Sequence, residues 1–182
     1  YADDFVIGFE DREDADRVWE VLPKRMQRYG LTLHPDKTRL LDFRRPPVEQ
    51  RGGKGSSTFD FLGFTLYWRR TRKGRWRVGC QTRRARLHRA MSAVYEWCRD
   101  HRHHPLDVQY AGLRSRLQGH RNYFGVNGNL RRMAYLYAHA IRSWVKWLSR
   151  RSQRGRLTWE RVRLLLQRYP LPPPRIVVSI WG

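Results

Sequence analysis

Hydrophobic and polar positions follow strand-like and helix-like periods in turn at the start of the chain. An apolar run at positions 5–9 comes directly after two acidic residues, Asp3 and Asp4, and predicts a buried β-strand that leaves a tight turn. Apolar residues at helical spacing follow and predict a helix over positions 10–29, which Gly30 ends. The opening pattern is therefore a hairpin tip with two carboxylates, a strand and a helix.

The pattern up to residue 80 predicts more β-structure around a polar loop. Pro23 should kink or split the first helix, because proline has no N–H to donate. Positions 30–43 are typical of a loop that enters a strand, and positions 44–58 of a flexible basic loop. The run at 59–68 is apolar on both faces, as in a strand buried on two sides, and after a basic turn the run at 75–80 should be its partner strand.

From Gln81 onward the pattern becomes helical. The helices are expected at about 87–98, 107–117, 130–148 and 158–167. Asp107 and Thr158 are the expected N-caps, and Gly119 is expected to end the second of these helices. The fold class that follows is α+β, with antiparallel strands and one helix over residues 1–80, an all-α part over 81–175 and a tail over 176–182.

The large positive net charge makes this chain a candidate nucleic-acid-binding protein. The 182 residues carry 38 Lys and Arg against 16 Asp and Glu, a net charge of +22. Residues 1–20 hold eight of the acidic residues, so the rest of the chain is very basic. Most of the basic residues are Arg, which binds phosphate through two parallel hydrogen bonds and stacks on bases. An acidic tip beside a basic body suits a metal site next to a polyanion.

Other classes of site and location are not supported by the composition. Cys80 and Cys98 lie far apart without metal-ligand spacing and are expected to be buried thiols in a reducing compartment, such as a bacterial cytoplasm. No apolar run is long enough for a membrane span, and no signal peptide is visible. The chain begins with Tyr in the middle of a motif, so we expect it to be a fragment of a longer protein.

The acidic pair has two interpretations. Asp is common in turns, and an Asp-Asp pair alone is more often a turn than a catalytic site. Adjacent carboxylates at a hairpin tip also suit Mg²⁺, which binds one or two carboxylates together with substrate phosphates.

The string Tyr-Ala-Asp-Asp followed by Phe-Val-Ile, at positions 1–7, resembles the metal-binding hairpin of the reverse transcriptase palm. This resemblance implies that Asp3 and Asp4 are catalytic metal ligands. Positions 30–43 are similar to the next palm motif, in which Lys37 would protonate or neutralise the leaving pyrophosphate; the alternative is a solvated lysine. Phe61, Leu62 and Gly63, followed by Phe64, resemble the primer-grip hairpin, whose backbone would direct the primer end toward the metals. Gly63 would allow another backbone to approach.

The region from about 118 to 175 resembles the thumb and maturase-specific domain of group II intron reverse transcriptases. The matching strings are Tyr-Phe-Gly-Val at 123–126, Trp-Val-Lys-Trp-Leu at 144–148, Arg-Arg-Ser-Gln at 150–153 and Leu-Thr-Trp-Glu at 157–160. The basic and aromatic residues of this region suit structured RNA. The expected RNA contacts are Arg121, Asn122, Tyr123, Arg131, Arg132, Lys146, Arg150 and Arg151.

The resemblance implies that the intact protein copies RNA into DNA with two Mg²⁺ ions, a template–primer duplex and dNTP, and binds group II intron RNA to promote splicing. A palm also needs a further Asp on an earlier strand, so we expect this chain alone to bind RNA without polymerising. Two alternatives stay open. One is a non-catalytic RNA-binding remnant of a mobile element, and the other is a retron- or CRISPR-associated reverse transcriptase.

Overall fold

The computed structural model of the protein describes residues 4–47, 54–151 and 157–179, and their arrangement is α+β, as predicted. The described elements are α1 (Arg12–Gln27), β1 (Lys54–Phe61), β2 (Phe64–Arg70), β3 (Trp76–Thr82), α2 (Arg84–Asp100), α3 (Leu106–Phe124), α4 (Leu130–Leu148) and α5 (Trp159–Arg168). A sheet with one preceding helix is thus followed by four helices, which is compatible with part of a palm and a helical region after it.

The three strands form one antiparallel sheet in the order β1-β2-β3. The prediction of a single strand over 59–68 is wrong, because the chain reverses at Leu62 and Gly63. Both residues have positive φ, +48° and +79°, and Phe61 pairs with Phe64 across them. Positive φ at both central residues is the requirement of a tight two-residue hairpin turn. The predicted loop over 44–58 is also partly wrong, since β1 begins at Lys54.

The two faces of the sheet differ in what covers them. The segment ending at Pro47 lies over one face, where the Phe43 ring stacks on Trp68 at 5.5 Å between ring centroids. Indole Nε1 of Trp68 donates to the Phe43 carbonyl at 3.0 Å, and that of Trp76 donates to the Pro47 carbonyl at 3.1 Å. The opposite face carries the alternate residues of the strands. Tyr67, Arg69 and Arg77 are among them.

The start of the described chain differs from the prediction. Residues 4–9 form no strand, and Phe5, Val6 and Ile7 are about half exposed. None of the described strands pairs with this segment, and a strand without a hydrogen-bonded neighbour is not stable. Helix α1 follows, and of the predicted kink or split at Pro23 the split does not occur, since the helix continues to Gln27. Pro23 lies in the last part of the helix, where its missing N–H costs one hydrogen bond.

Gly30 ends the α1 region as predicted. Its φ is +68°, its N–H donates to the Gln27 carbonyl at 3.0 Å, and the next N–H, that of Leu31, reaches the Met26 carbonyl at 3.0 Å. These bonds satisfy carbonyls at the end of the helix.

The hydrophobic core lies among α2, α3, α4 and the segment after α5. Its buried members include Leu87, Leu113, Trp144 and Leu171. The Trp144 indole donates to Oε1 of Gln109 at 2.9 Å, and the amide nitrogen of Gln109 donates to the His104 carbonyl at 2.8 Å. A buried polar chain therefore fixes the loop between α2 and α3 to the C-terminal part of α4, in agreement with the rule that buried polar groups are hydrogen-bonded.

The observed ends of α3 and α5 agree only in part with the predicted capping residues. Gly119 does not end α3, which continues to Phe124, and the predicted cap Asp107 lies in the first turn, after the N-cap Pro105. Thr158 is confirmed as the N-cap of α5, since its Oγ1 accepts from the Arg161 N–H at 3.4 Å. Glycine inside a helix lowers helix propensity by about 1 kcal/mol, and tertiary packing of α3 outweighs that cost.

The C-terminal segment returns to the junction between α3 and α4. The Val177 N–H donates to the Gly125 carbonyl at 2.7 Å, and Val178 forms a parallel bridge with Val126. Cys80 and Cys98 are buried free thiols, as expected, and burial raises the pKa of Cys80 to about 11. Among the described helices, none has the length and apolar character to cross a bilayer.

Candidate nucleic-acid interface

The tip of the β1–β2 hairpin is fixed to the helical part by backbone contacts. The Gly63 carbonyl accepts from the Arg83 N–H at 2.9 Å, and the Leu62 carbonyl accepts from the Tyr123 hydroxyl at 3.0 Å. The Phe64 ring stacks on Tyr123 at 5.9 Å and meets Phe124 edge-on at 5.0 Å. The residues predicted as a primer grip and the predicted RNA contact Tyr123 therefore lie side by side.

The conformation of the turn also favours glycine at position 63. A Cβ at this position would lie 3.6 Å from the Phe124 ring and from Arg86 Nε, which is ordinary contact distance. Its positive φ is what requires glycine, while Leu62 holds a positive φ without that advantage. Leu62 is also 51% exposed, so the strained residue points away from the core.

A buried amide joins the sheet to α4. Asn129, fully buried before the first turn of α4, accepts from the Thr82 N–H at 2.8 Å. Its amide nitrogen donates to Thr82 Oγ1 at 2.7 Å and to the Phe124 carbonyl at 2.8 Å. Sequence reasoning did not assign Asn129 this role; the signal was an Asn directly ahead of an apolar helix. The network fixes the end of β3 against both α3 and α4.

The first turn of α4 presents cations beside this network. Arg131 is exposed and extends toward Tyr135, whose hydroxyl lies 3.2 Å from its Nη2. Arg132 is partly buried, and its Nε donates to Gln81 Oε1 of β3 at 3.4 Å. Neither guanidinium forms an ion pair within the described residues. Both keep donor capacity for a phosphate.

The other end of α4 combines cations with aromatic rings. The Lys146 ammonium lies 4.7 Å from the centroid of the Tyr95 ring and donates to its hydroxyl at 2.8 Å. Arg102 and Arg150 lie 5.9 and 5.3 Å from the centroid of Trp147. Lys146 and Arg150 are exposed. The aromatic rings attract these cations and hold them near the surface, where their charge can act on a ligand.

Two of the predicted RNA contacts, Arg121 and Arg151, are hydrogen-bonded to carbonyl groups of the protein. Arg121 is only 9% exposed, and its guanidinium donates to the Pro173 carbonyl at 3.3 Å and to Gln118 Oε1. Arg151 donates to the carbonyls of Arg102 and His104, in the loop after α2. These bonds use donors of both side chains within the protein, and RNA contact by Arg121 and Arg151 stays a prediction.

Asn122 and Tyr123 remain at the surface. Asn122 is exposed on α3 and accepts a hydrogen bond from Gln118 at 2.7 Å. Tyr123 is 54% exposed although its hydroxyl is engaged with the hairpin tip. An exposed ring beside an amide is a combination that RNA-binding proteins use for unpaired bases.

The described residues do not assemble the predicted metal site. Asp3 lies outside the described residues, and Asp4 is exposed in a segment without strand structure. Lys37 is exposed in a turn, where its N–H donates to the His34 carbonyl at 3.2 Å. No group of three His, Cys, Asp or Glu side chains with metal-binding geometry occurs within these residues. The described donor set therefore does not fit a two-metal centre by itself.

Comparison with known proteins gives one match. The model of the family described as reverse transcriptase (RNA-dependent DNA polymerase) matches residues 1–66, about a third of the chain. No curated protein and no solved structure matches the chain. The matched stretch contains the acidic pair, Lys37 and the hairpin tip, and it ends within β2. Over residues 1–66 the chain is therefore similar to reverse transcriptases, the RNA-dependent DNA polymerases.

Proposed function

We propose that this chain is part of a group II intron reverse transcriptase and maturase, comprising the C-terminal part of the palm and the helical RNA-binding region. The observation that carries the proposal is the match over residues 1–66, which contains Tyr-Ala-Asp-Asp and extends through the hairpin tip at Leu62 and Gly63. The packing of that tip against Tyr123 supports a common nucleic-acid surface for the hairpin and the helices.

The proposed activity of the intact protein is RNA-directed DNA synthesis. Asp3 and Asp4 would supply two carboxylates to a pair of Mg²⁺ ions, which stabilise the attacking and leaving oxygens of a nucleotidyl transfer when bound. Lys37 would place a positive charge near the leaving pyrophosphate. The primer grip at Phe61, Leu62 and Gly63 would position the primer end of a template–primer duplex.

The proposed role of the helical region is to bind intron RNA and stabilise its folded form. Its surface residues Asn122, Tyr123, Arg131, Arg132, Lys146 and Arg150 supply amide, aromatic and cationic groups. Phosphate contacts of this kind give affinity, while stacking on exposed rings suits unpaired bases. No protein side chain takes part in the chemistry of splicing in this proposal.

A non-catalytic RNA-binding protein is the second candidate function. It is favoured by the exposed position of Asp4 and by the lack of a three-ligand group within the described residues.

Primer extension on an RNA template in the presence of Mg²⁺ and dNTP tests the proposed activity. We expect no synthesis by this chain alone, and synthesis by the intact protein that contains it. In the intact protein, Asp3→Asn with Asp4→Asn should reduce the rate by at least about 10³-fold, since charge stabilisation at a reacting phosphate is worth several kcal/mol. Unchanged synthesis by that variant would refute the catalytic assignment and leave the RNA-binding candidate.

A further inference from the structure

The far end of the β2–β3 hairpin is the most densely cationic part of the sheet. Six of the nine residues from 69 to 77 are Lys or Arg. Between Asp60 and Glu96 the sequence contains ten Lys and Arg and no carboxylate. Within the described residues, five of these side chains take part in no ion pair with Asp or Glu, namely Arg69, Arg72, Lys73, Arg75 and Arg77. Their charge is therefore not neutralised by neighbouring carboxylates.

The strand register places like charges opposite each other. Arg69 of β2 pairs with Arg77 of β3, so the two side chains project from the same face of the sheet. Directly opposed like charges destabilise an antiparallel pair. Arg69 Nε is also shielded from solvent and has no hydrogen-bond partner. A bound anion would reduce the repulsion between Arg69 and Arg77 and would accept a hydrogen bond from Arg69 Nε.

The turn that carries the other cations has a defined backbone. The Thr71 carbonyl accepts from the Gly74 N–H at 3.0 Å, and the Thr71 hydroxyl accepts from the Arg75 N–H at 3.2 Å. Gly74 has φ +73°, which closes the turn at low steric cost. Arg72, Lys73 and Arg75 are exposed on this frame. The cations are thus presented from a hydrogen-bonded turn.

The two tryptophans of the hairpin project from the other face of the sheet. Trp76 is only 6% exposed, and its indole is bonded to the Pro47 carbonyl. Trp68 is half-buried, with its indole on the Phe43 carbonyl. Proteins that bind single strands combine cations with rings on which bases stack. These two rings are covered, so the hairpin end offers phosphate contacts without stacking from its tryptophans.

We propose that the end of the β2–β3 hairpin, formed by Arg69, Arg72, Lys73, Arg75 and Arg77, binds the phosphate backbone of a nucleic-acid duplex independently of its sequence. A duplex fits because its phosphates are exposed at high density while its bases are stacked inside. A two-stranded β-ribbon also has the dimensions to follow a groove of a duplex. The inference deepens the proposed nucleic-acid-binding function and rests on it.

The test compares two variants of the chain that change the net charge equally. The first is Arg72→Ser with Lys73→Ser and Arg75→Ser, all at exposed positions. The control is Arg12→Ser with Arg17→Ser and Arg44→Ser, whose side chains lie within 4.0 Å of Asp or Glu oxygens in the structure. Circular dichroism and thermal melting of both variants check that they fold like the wild type.

Affinity for 20-base-pair duplexes of two unrelated sequences is measured by fluorescence anisotropy at several salt concentrations. We expect the hairpin variant to lose affinity on the order of 100-fold at 0.1 M salt and its salt slope to fall by ~2–3 units, because each neutralised phosphate contributes close to one unit. The control variant should stay near the wild type, and the two sequences should bind equally.

The other outcomes separate the two proposals. If the wild type binds duplexes and the hairpin variant keeps the same affinity and salt slope as the control, the hairpin inference is wrong while nucleic-acid binding stands. If the wild type binds no nucleic acid, the proposed function fails and the inference fails with it. Vesicles containing phosphatidylserine form a further arm, and binding to them as tight as to duplexes would overturn the choice of nucleic acid as the partner.

Discussion

Leu62 adopts a backbone conformation that residues with a Cβ rarely take, and it does so at the exposed tip of a hairpin. Its φ of +48° costs on the order of 1 kcal/mol or more, and such strain concentrates at functional sites. The Leu62 side chain is half exposed, so core packing does not require leucine there. Strain without a packing benefit supports the proposal that this tip contacts a primer.

Leu62→Asn tests this interpretation. Asn followed by Gly is the preferred pair for a turn with two positive φ values, so we expect the free energy of unfolding to rise by about 1 kcal/mol. Urea denaturation followed by tryptophan fluorescence measures the change. Primer extension by the intact protein should fall in the same variant. A loss of stability would show that the leucine side chain contributes more than its backbone strain costs.

At the scale of elements, α3 and the prolines after α5 enclose a histidine. His120 lines a small cavity with Arg121 and residues 172–174, and its ring lies 4.5 Å from that of Phe124. Its Nε2 is buried without a hydrogen-bond partner. Burial lowers the pKa of His120 from 6.5 to about 4, so the folded protein holds this imidazole in its neutral form.

This burial predicts a loss of stability in acid. The unfolded chain binds a proton at His120 near pH 6.5 and the folded chain only near pH 4, so the stabilisation is complete above pH 6.5 and decreases as the pH falls toward 4. We expect His120→Phe to make the free energy of unfolding less dependent on pH across this window, by on the order of 2 kcal/mol after allowing for partial solvation. Urea denaturation at pH 4.5, 5.5 and 7 measures it, with the exposed His88→Phe as the control. An equal pH dependence in both variants would contradict the account.

Sequence patterns predicted elements well where periodicity was long and local. The α4 pattern gave the helix its observed ends, and Thr158 capped α5 as its position before Trp159 indicated. The patterns failed where tertiary contacts determine the local structure. The turn at Leu62 was hidden because leucine is not a turn residue, and α3 passes through Gly119 because its flanking residues pack on neighbouring elements. The hydrogen bonds of Arg121 and Arg151 were equally invisible, because only the fold brings backbone carbonyls to them.

At the scale of the whole molecule, the sheet and the helices are joined by a shared polar junction. The bonds of Asn129 to Thr82 and of Arg83 to Gly63 connect them directly, so the predicted change of character near residue 81 coincides with a packed contact. Cations lie on both sides of this junction, with Arg131 and Arg132 on α4 and Arg77 on β3. This distribution favours a long nucleic-acid ligand over a small anion.

Affinity of the chain for a folded intron-type RNA, measured against salt concentration, tests the central claim most directly. The wild type should bind with an affinity that falls steeply as salt rises, with a slope of about −4 or steeper on logarithmic axes, because several phosphates are neutralised at once. Arg131→Ser with Arg132→Ser should weaken binding and reduce the slope by ~1–2 units without unfolding the protein. A flat salt response of the wild type, or no binding at low salt, would contradict the account.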